Sequence, residues 1–432
     1  MAGESCHSRS LSWLARSCIP ADPARHTAVP ISMPSTTNLI SSTNPASEEE
    51  EESPISALPD DLLLECLARV PRASLHPLPA VCLRFASLLA SDAFLHLRRA
   101  RGHLRPTLLA LSVPSSSSHG STFARALIHL DASRPDPAEV AALPLPAPLL
   151  NLHCHGGDAS SNAFAHARVV AVGREVFVIG RGATLRVDAL TGSARSCAPT
   201  LFPRKKFAAA ATADRIYVAG GSSRTAAVEE YDPAADAWRV VAQAPRRRYG
   251  CAGAVAGGVF YVAGGVAVSS SSPGGGIEAC AAGTVDALHL ASGAWGAPRA
   301  VPGGGCVVGA CGAGGHLYVV ASHAAGLSFW RLGVSGRGGA WVPLEAPPVP
   351  SGCVVGLGVA VRVAMAGVGA AGDRIVAVVN ASPVRRGHGV GGAAVPLQGL
   401  VLVYDVAGGG KWTCAPDLPH GFRRAACVAV EC

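Results

Sequence analysis

One pattern recurs along the chain and limits its fold more than any other feature. A short run of alternating large apolar residues reads Val176-Phe177-Val178-Ile179, Ile216-Tyr217-Val218-Ala219, Phe260-Tyr261-Val262-Ala263, Leu317-Tyr318-Val319-Val320 and Ile375-Val376-Ala377-Val378-Val379, at intervals of about 40 to 60 residues. A strand of small residues and a tight turn precede each anchor, as in Phe207 to Arg215 and Gly250 to Gly258. A loop, a third strand and a fourth strand follow. The third often ends in an acid, with a Trp beyond it: Tyr231-Asp232 with Trp238, and Tyr404-Asp405 with Trp412; Leu288 and Trp295 keep the same spacing. Four strands per unit at this period are the blades of a β-propeller, each unable to bury its two faces without neighbours. With 50 Gly and 32 Pro among 432 residues, a helical bundle is excluded.

Five blades are visible from about Ala165 onward. A sixth is permuted: Leu108 to Val113 reads as an anchor, Ala126 to Asp131 as a third strand, and Arg424 to Val430 as the missing inner strand. The C-terminus is therefore expected to complete the first blade and close the ring without a free edge.

The first 53 residues are of another kind. They are rich in Ser, Thr and Pro, hold three Arg against seven acids, and end in the run Glu48 to Glu52. That composition reads as a disordered, solvated tail, with an organelle transit peptide as the alternative. From Ile55 the pattern turns helical. Leu58-Pro59-Asp60-Asp61 opens a helix that Pro71 ends, with Leu63, Leu67 and Val70 on one stripe widened by Leu62 and Cys66. A second helix is expected over about Leu78 to Ala90, delayed by Pro77 and Pro79, and a third after Asp92 as candidate N-cap, carrying Phe94 and Leu97.

The stretch from Leu58-Pro59 to Asp92-Ala93-Phe94-Leu95 resembles the F-box motif, with Phe85 in place of the family's usual Trp. The Gly pairs after the anchors, Gly220-Gly221 and Gly264-Gly265, followed by Tyr-Asp and Trp, resemble kelch repeats. Together they look like a plant-type F-box/kelch-repeat protein. The fold expected is mainly β: a tail over 1–53, a three-helix F-box over 54–104 and a six-bladed propeller over 105–432. The resemblance implies a non-catalytic substrate-recognition subunit of a Skp-cullin-F-box ubiquitin ligase, in the cytoplasm and/or nucleus. By match to the motif, Leu58, Pro59, Leu63, Leu67, Val81 and Phe85 would contact the Skp adaptor, and a cullin would join through it.

The target site is expected on one face. In an antiparallel four-stranded blade, the loop after the second strand and the loop to the next blade leave from the same end. Those loops carry Arg204, Lys205, Lys206, Arg224, Arg246, Arg247, Arg248, Arg299, His323, Arg385, Arg386, His388, Arg423 and Arg424. The chain has only three lysines against 33 arginines, groups suited to bidentate contact with carboxylate or phosphate. An acidic or phosphorylated target protein follows, although kelch-like proteins commonly carry one Arg per blade-joining loop for packing. Nucleic acid is not expected, because no exposed aromatic residues interleave with the basic groups.

Other chemistry finds little support, and no cofactor, metal or membrane partner is expected. Gly367 to Gly372 matches G-x-G-x-x-G but precedes a strand, the wrong order for a dinucleotide site. His153-Cys154-His155 lacks a second pair of ligands at suitable spacing. The apolar run Cys353 to Ala371 is interrupted by Arg362 and four glycines. Copper radical oxidases also use kelch-like propellers, but Tyr217, Tyr261 and Tyr318 hold equivalent anchor positions here, which points to blade cores. A kelch module acting outside a ligase remains the competing binding role.

Overall fold

The computed structural model describes residues 54–55, 57–112, 122–130, 138–144, 146, 163–164, 166–268, 277–278, 282–333, 339–350, 353, 359–369, 372–383, 396–422 and 425–432. The expected tail, His153 to His155, Arg385, Arg386, His388, Arg423 and Arg424 lie outside them. Leu58 to Cys432 form one compact unit, so helices and blades are packed together.

Six antiparallel blades make up the ring, five of them four-stranded and blade 4 with its outer strand in two pieces, Ala294–Trp295 and Arg299–Ala300. Blade 1 is built from Pro106–Ser112, Thr122–His129 and Glu139–Pro144, and its inner strand is Ala426–Glu431. The closure expected from the sequence is the one observed: Leu109 faces Val428 and Thr107 faces Val430. Blades 2, 3 and 4 have Glu175–Ile179, Ile216–Ala219 and Val259–Ala263 as second strands; blades 5 and 6 have His316–His323 and Arg374–Pro383. Inner strands of successive blades touch all round, with Val359–Val368 of blade 6 against Ala426–Glu431.

The alternation in each anchor now has its cause. Ile216 and Val218 point into the seam between blades 2 and 3, whereas Tyr217 and Ala219 point into the seam between blades 3 and 4. Both faces of every blade are covered, and six apolar clusters fill the six seams. At about 25 cal/mol per Å² this burial is the main stabilising term. Near the axis the blades converge and only small residues fit. Ala208–Ala211 is an all-alanine inner strand, and a Cβ added to Gly253 would lie 2.6 Å from the Ala209 backbone. Fourth-strand Trp residues tie blades together: Trp238 Nε1 donates to Ala198 O and Trp412 Nε1 to Glu345 O, each at 2.8 Å.

Among the described residues the α-helices are α1 (Asp60–Ala68), α2 (Leu83–Ala90) and α3 (Asp92–Ala100). Helix α1 stops three residues short of Pro71. Helix α2 begins later than expected, because Leu78–Ala80 forms only a 3-10 turn around Pro79. The cap of α3 is Ser91 rather than Asp92; Phe94 N–H donates to its Oγ at 3.2 Å. Arg98, 3% exposed, donates to Ala68 O and Val70 O at 3.1 and 2.8 Å and so satisfies the carbonyls that α1 leaves open. Burial lowers its pKa.

One apolar cluster runs from Leu63, Leu75 and Phe94 in the helical region into the seam between blades 1 and 2 at Leu127, Val176 and Leu190. The polar contacts place the helices at one end of the ring. Arg174, in the hairpin between the first two strands of blade 2, donates to Leu89 O at 2.6 Å. Glu431, at the end of the closing strand, accepts from Arg99 at 3.0 Å, and Arg72 pairs with Glu139 at the start of the outer strand of blade 1.

Candidate functional site

Two surfaces stand at opposite ends of the unit. At the helical end, the start of α2 is held against the start of α1: Arg84 Nε donates to Asp60 Oδ1 at 2.7 Å and Nη2 to Leu58 O. Around this bridge Leu62, Val81 and Leu83 are 50%, 63% and 90% exposed, beside exposed Pro59 and half-buried Leu58. Exposed large apolar groups gathered at one spot are uncommon and mark a contact surface. Burial divides the residues read from the sequence as adaptor contacts. Leu63 and Leu67 are 3% and 4% exposed and pack the helices onto the ring, while Phe85 is half-buried against the same cluster. The surface positions are their neighbours: Leu62 lies off the buried stripe of α1 and Leu83 precedes the inward turn of α2. Only side-chain direction, fixed by the fold, separates the two sets.

The basic loops leave from the other end of the ring. Lys205 N–H donates to Gly221 O at 2.9 Å, and Arg247 Nη1 to Ser223 O at 2.6 Å, joining blade-joining loops to the loop after an anchor on one face. A small sheet of Arg247–Tyr249, Val266–Val268 and Ile277–Glu278, with no counterpart among the described residues of the other blades, braces the same face.

Several predicted residues are not on that surface. Arg204 is 1% exposed and wholly engaged within blade 3: Nε donates to Glu229 Oε1 at 2.8 Å, Nη1 to Gly220 O and Nη2 to Ala227 O, both at 2.7 Å. Arg248 repeats the arrangement in blade 4, with Asp286 Oδ2 at 2.7 Å, Gly264 O at 2.9 Å and Thr284 Oγ1 at 2.8 Å. A buried guanidinium needs such a partner, and each ties a joining loop to its own blade. In blade 2 the equivalent positions are Phe164 and Leu185, both buried, so an apolar pair replaces the ion pair. Arg299 turns to the flank and donates to Gly339 O. Arg246 lies half-buried with Nε 3.6 Å from Asp286.

What remains at the mouth is Lys205, Lys206 and Arg247, all half-buried, and exposed Arg224. Three more residues join them that the sequence did not single out for binding: His166, Arg168 and Arg362. Arg362 was visible only as an interruption of an apolar run, and its place on the inner strand of blade 6 comes from the ring.

The remaining candidates are structural. Tyr217, Tyr261 and Tyr318 are buried in three different seams, and burial raises the pKa of each, Tyr217 to about 12 with help from Glu230. Gly369 and Gly372, at φ 86° and 63°, belong to the connection between the first two strands of blade 6. No group of three or more metal-ligating residues occurs among the described residues, and no helix there is long and apolar enough to cross a membrane.

Comparison with known proteins agrees with this anatomy. The F-box domain model matches residues 55–97 and the Kelch motif model residues 203–245. An F-box/kelch-repeat protein of Arabidopsis thaliana is 41% identical over 99% of this chain and 99% of its own length. The chain belongs to the F-box/kelch-repeat proteins. A second Arabidopsis F-box/kelch-repeat protein is 28% identical over 48% of this chain and 46% of its own, and a putative F-box protein is 47% identical over 15% and 46%. In F-box/kelch terms, the matched Kelch segment holds the Arg204–Glu229 pair, the Gly220-Gly221 turn and the tilted Tyr231–Trp238 ring contact, whose centroids are 4.9 Å apart.

Proposed function

We propose that this F-box/kelch-repeat chain is the non-catalytic substrate-recognition subunit of a Skp-cullin-F-box ubiquitin ligase. The observation that carries the reading is the opposition of the two surfaces. The apolar patch of Leu58, Pro59, Leu62, Val81 and Leu83 takes the Skp adaptor, and a cullin joins through it. The basic mouth at the far end of the ring takes an acidic or phosphorylated target, which is held clear of the adaptor. Long apolar side chains already exposed bind with little reorganisation, whereas the mouth supplies steering and charge-assisted hydrogen bonds. The chain acts in the cytoplasm and/or nucleus. The test is affinity capture of the tagged full chain beside a Leu58→Ala/Pro59→Ala double variant, scored for adaptor and cullin. Recovery of both by the intact chain and neither by the variant is expected; absence of the adaptor from the intact capture overturns the ligase role.

A further inference from the structure

In blades 2, 3 and 4 a turn leads the chain onto the inner strand. The residue ten places before Val176, Ile216 and Phe260 sits in that turn, and it is His166, Lys206 and Gly250. All three have positive φ, at 62°, 52° and 77°. Glycine takes this conformation freely, whereas a side chain crowds the backbone. Blade 4 uses glycine; blades 2 and 3 place an imidazole and an ammonium there. Among the described residues one other non-glycine residue has positive φ, Asp236, and its carboxylate accepts from Tyr231 Oη at 2.6 Å and from Ala198 N–H at 2.8 Å. His166 and Lys206 have no carboxylate partner among the described residues. Strain retained where glycine would serve points to a task for the side chain.

Their surroundings supply the task. Arg168, two residues beyond His166, reaches across both neighbouring turns. Its Nε donates to Phe207 O at 2.7 Å and its Nη2 to Cys251 O at 3.0 Å, the residues that follow Lys206 and Gly250. Nη1 has no partner among the described residues. Gly250 N–H donates to Lys206 O at 2.8 Å, which locks the turns together. Lys206 Nζ lies 5.5 Å from the Tyr249 ring centroid. Arg362 is exposed on the inner strand of blade 6. Burial, together with the charges of Lys206, Arg362, Lys205 and Arg168, lowers the pKa of His166.

We infer that His166, Arg168, Lys206 and Arg362 form a clasp for one phosphoryl group on a peptide of the target. The inference rests on the reading that the mouth receives the target. His166, Arg168 and Lys206 meet where the entry turns of blades 2 and 3 adjoin, and Arg362 of the blade 6 inner strand adds its charge at His166, which suits a compact dianion better than a run of carboxylates. Arg168 is already fixed by two hydrogen bonds, so little side-chain freedom is lost on binding. The Tyr249 ring beside these turns has Lys206 over it, which disfavours the base stacking a nucleic acid uses.

The test titrates the full chain with a fluorescent Gly/Ser decapeptide carrying one phosphoserine, beside its unphosphorylated and glutamate forms. The phosphopeptide is expected to bind tightest, to be displaced by inorganic phosphate, and to weaken about tenfold or more in Lys206→Gly and in Arg362→Ala. Lys206→Gly removes the charge while easing the backbone, so it melts no lower than the parent. Equal binding of the three peptides, or unchanged affinity in Lys206→Gly, overturns the clasp. So does a single-stranded DNA 20-mer that binds more tightly than the phosphopeptide. Adaptor capture on the same samples separates the two ideas. If the adaptor is captured and the peptides bind alike, the clasp falls and the ligase reading stands. If the phosphopeptide binds as expected and the adaptor does not, the ligase reading falls and the clasp stands.

Discussion

Replacing Arg204 by alanine tests the assignment of the buried arginines to structure. Both side chains of the Arg204–Glu229 pair are fully buried. The substitution leaves the Gly220 and Ala227 carbonyls without their donor, and leaves Glu229 only the Leu201 N–H at 2.6 Å. Removing one partner of a buried ion pair costs about 3–5 kcal/mol, a large share of the roughly 5–15 kcal/mol that holds a domain folded. Blade 2 suggests the repair, because Phe164 and Leu185 fill the equivalent positions with apolar groups. The double variant Arg204→Phe/Glu229→Leu is therefore expected to regain part of the loss, as apolar replacements of buried ion pairs do. Urea unfolding followed by tryptophan fluorescence reads the change, since Trp238 packs against Tyr231 in the same blade. Circular dichroism on the same samples checks that one transition is being followed. A loss below about 1 kcal/mol for Arg204→Ala, or a double variant no more stable than the single one, refutes the reasoning.

Other expectations follow from the same geometry. Leu63→Ala, made inside the helical core, should lower stability by about 2–5 kcal/mol in a melt, whereas Leu62→Ala, at the surface, should change it by under about 0.5 kcal/mol. Gly253→Ala forces a Cβ to within 2.6 Å of the neighbouring inner strand, and a cost of about 1–3 kcal/mol should appear as a lower urea midpoint. Deleting Ala426–Cys432 leaves blade 1 without its inner strand, so the truncated chain should lose cooperative unfolding and associate through the open edge, measured by light scattering. With three lysines in the chain, ubiquitin remnants found by mass spectrometry should fall on Lys205, Lys206, Lys411 or the amino terminus.

The ring was legible because its signal is repeated. Alternating anchors at equivalent positions force burial on both faces, and the permuted first blade followed from a strand with no partner at each end of the repeat. The F-box was legible as a motif but its surface was not. Leu62 and Leu63 are adjacent and chemically identical, and only the helix's contact with the ring decides which is hidden. The basic face was over-read for a related reason. Arg204 and Arg248 look like neighbours of Lys205 and Arg247 in the chain, yet each turns inward to a third-strand acid, Glu229 or Asp286, some 25 to 38 residues away. His166, Arg168 and Arg362 were passed over because they are brought to one place only by closing the ring, and a positive φ leaves no mark on a histidine or a lysine in the sequence.

In the proposed role the helices present an apolar docking surface to the Skp adaptor. Isothermal titration of purified adaptor into the full chain, and into a Leu62→Asp/Leu83→Asp variant, addresses it most directly. A one-to-one complex with the parent chain is expected, and no measurable binding to the variant, whose ring melts as the parent's does. No binding to the parent, or undiminished binding to the variant, would contradict it.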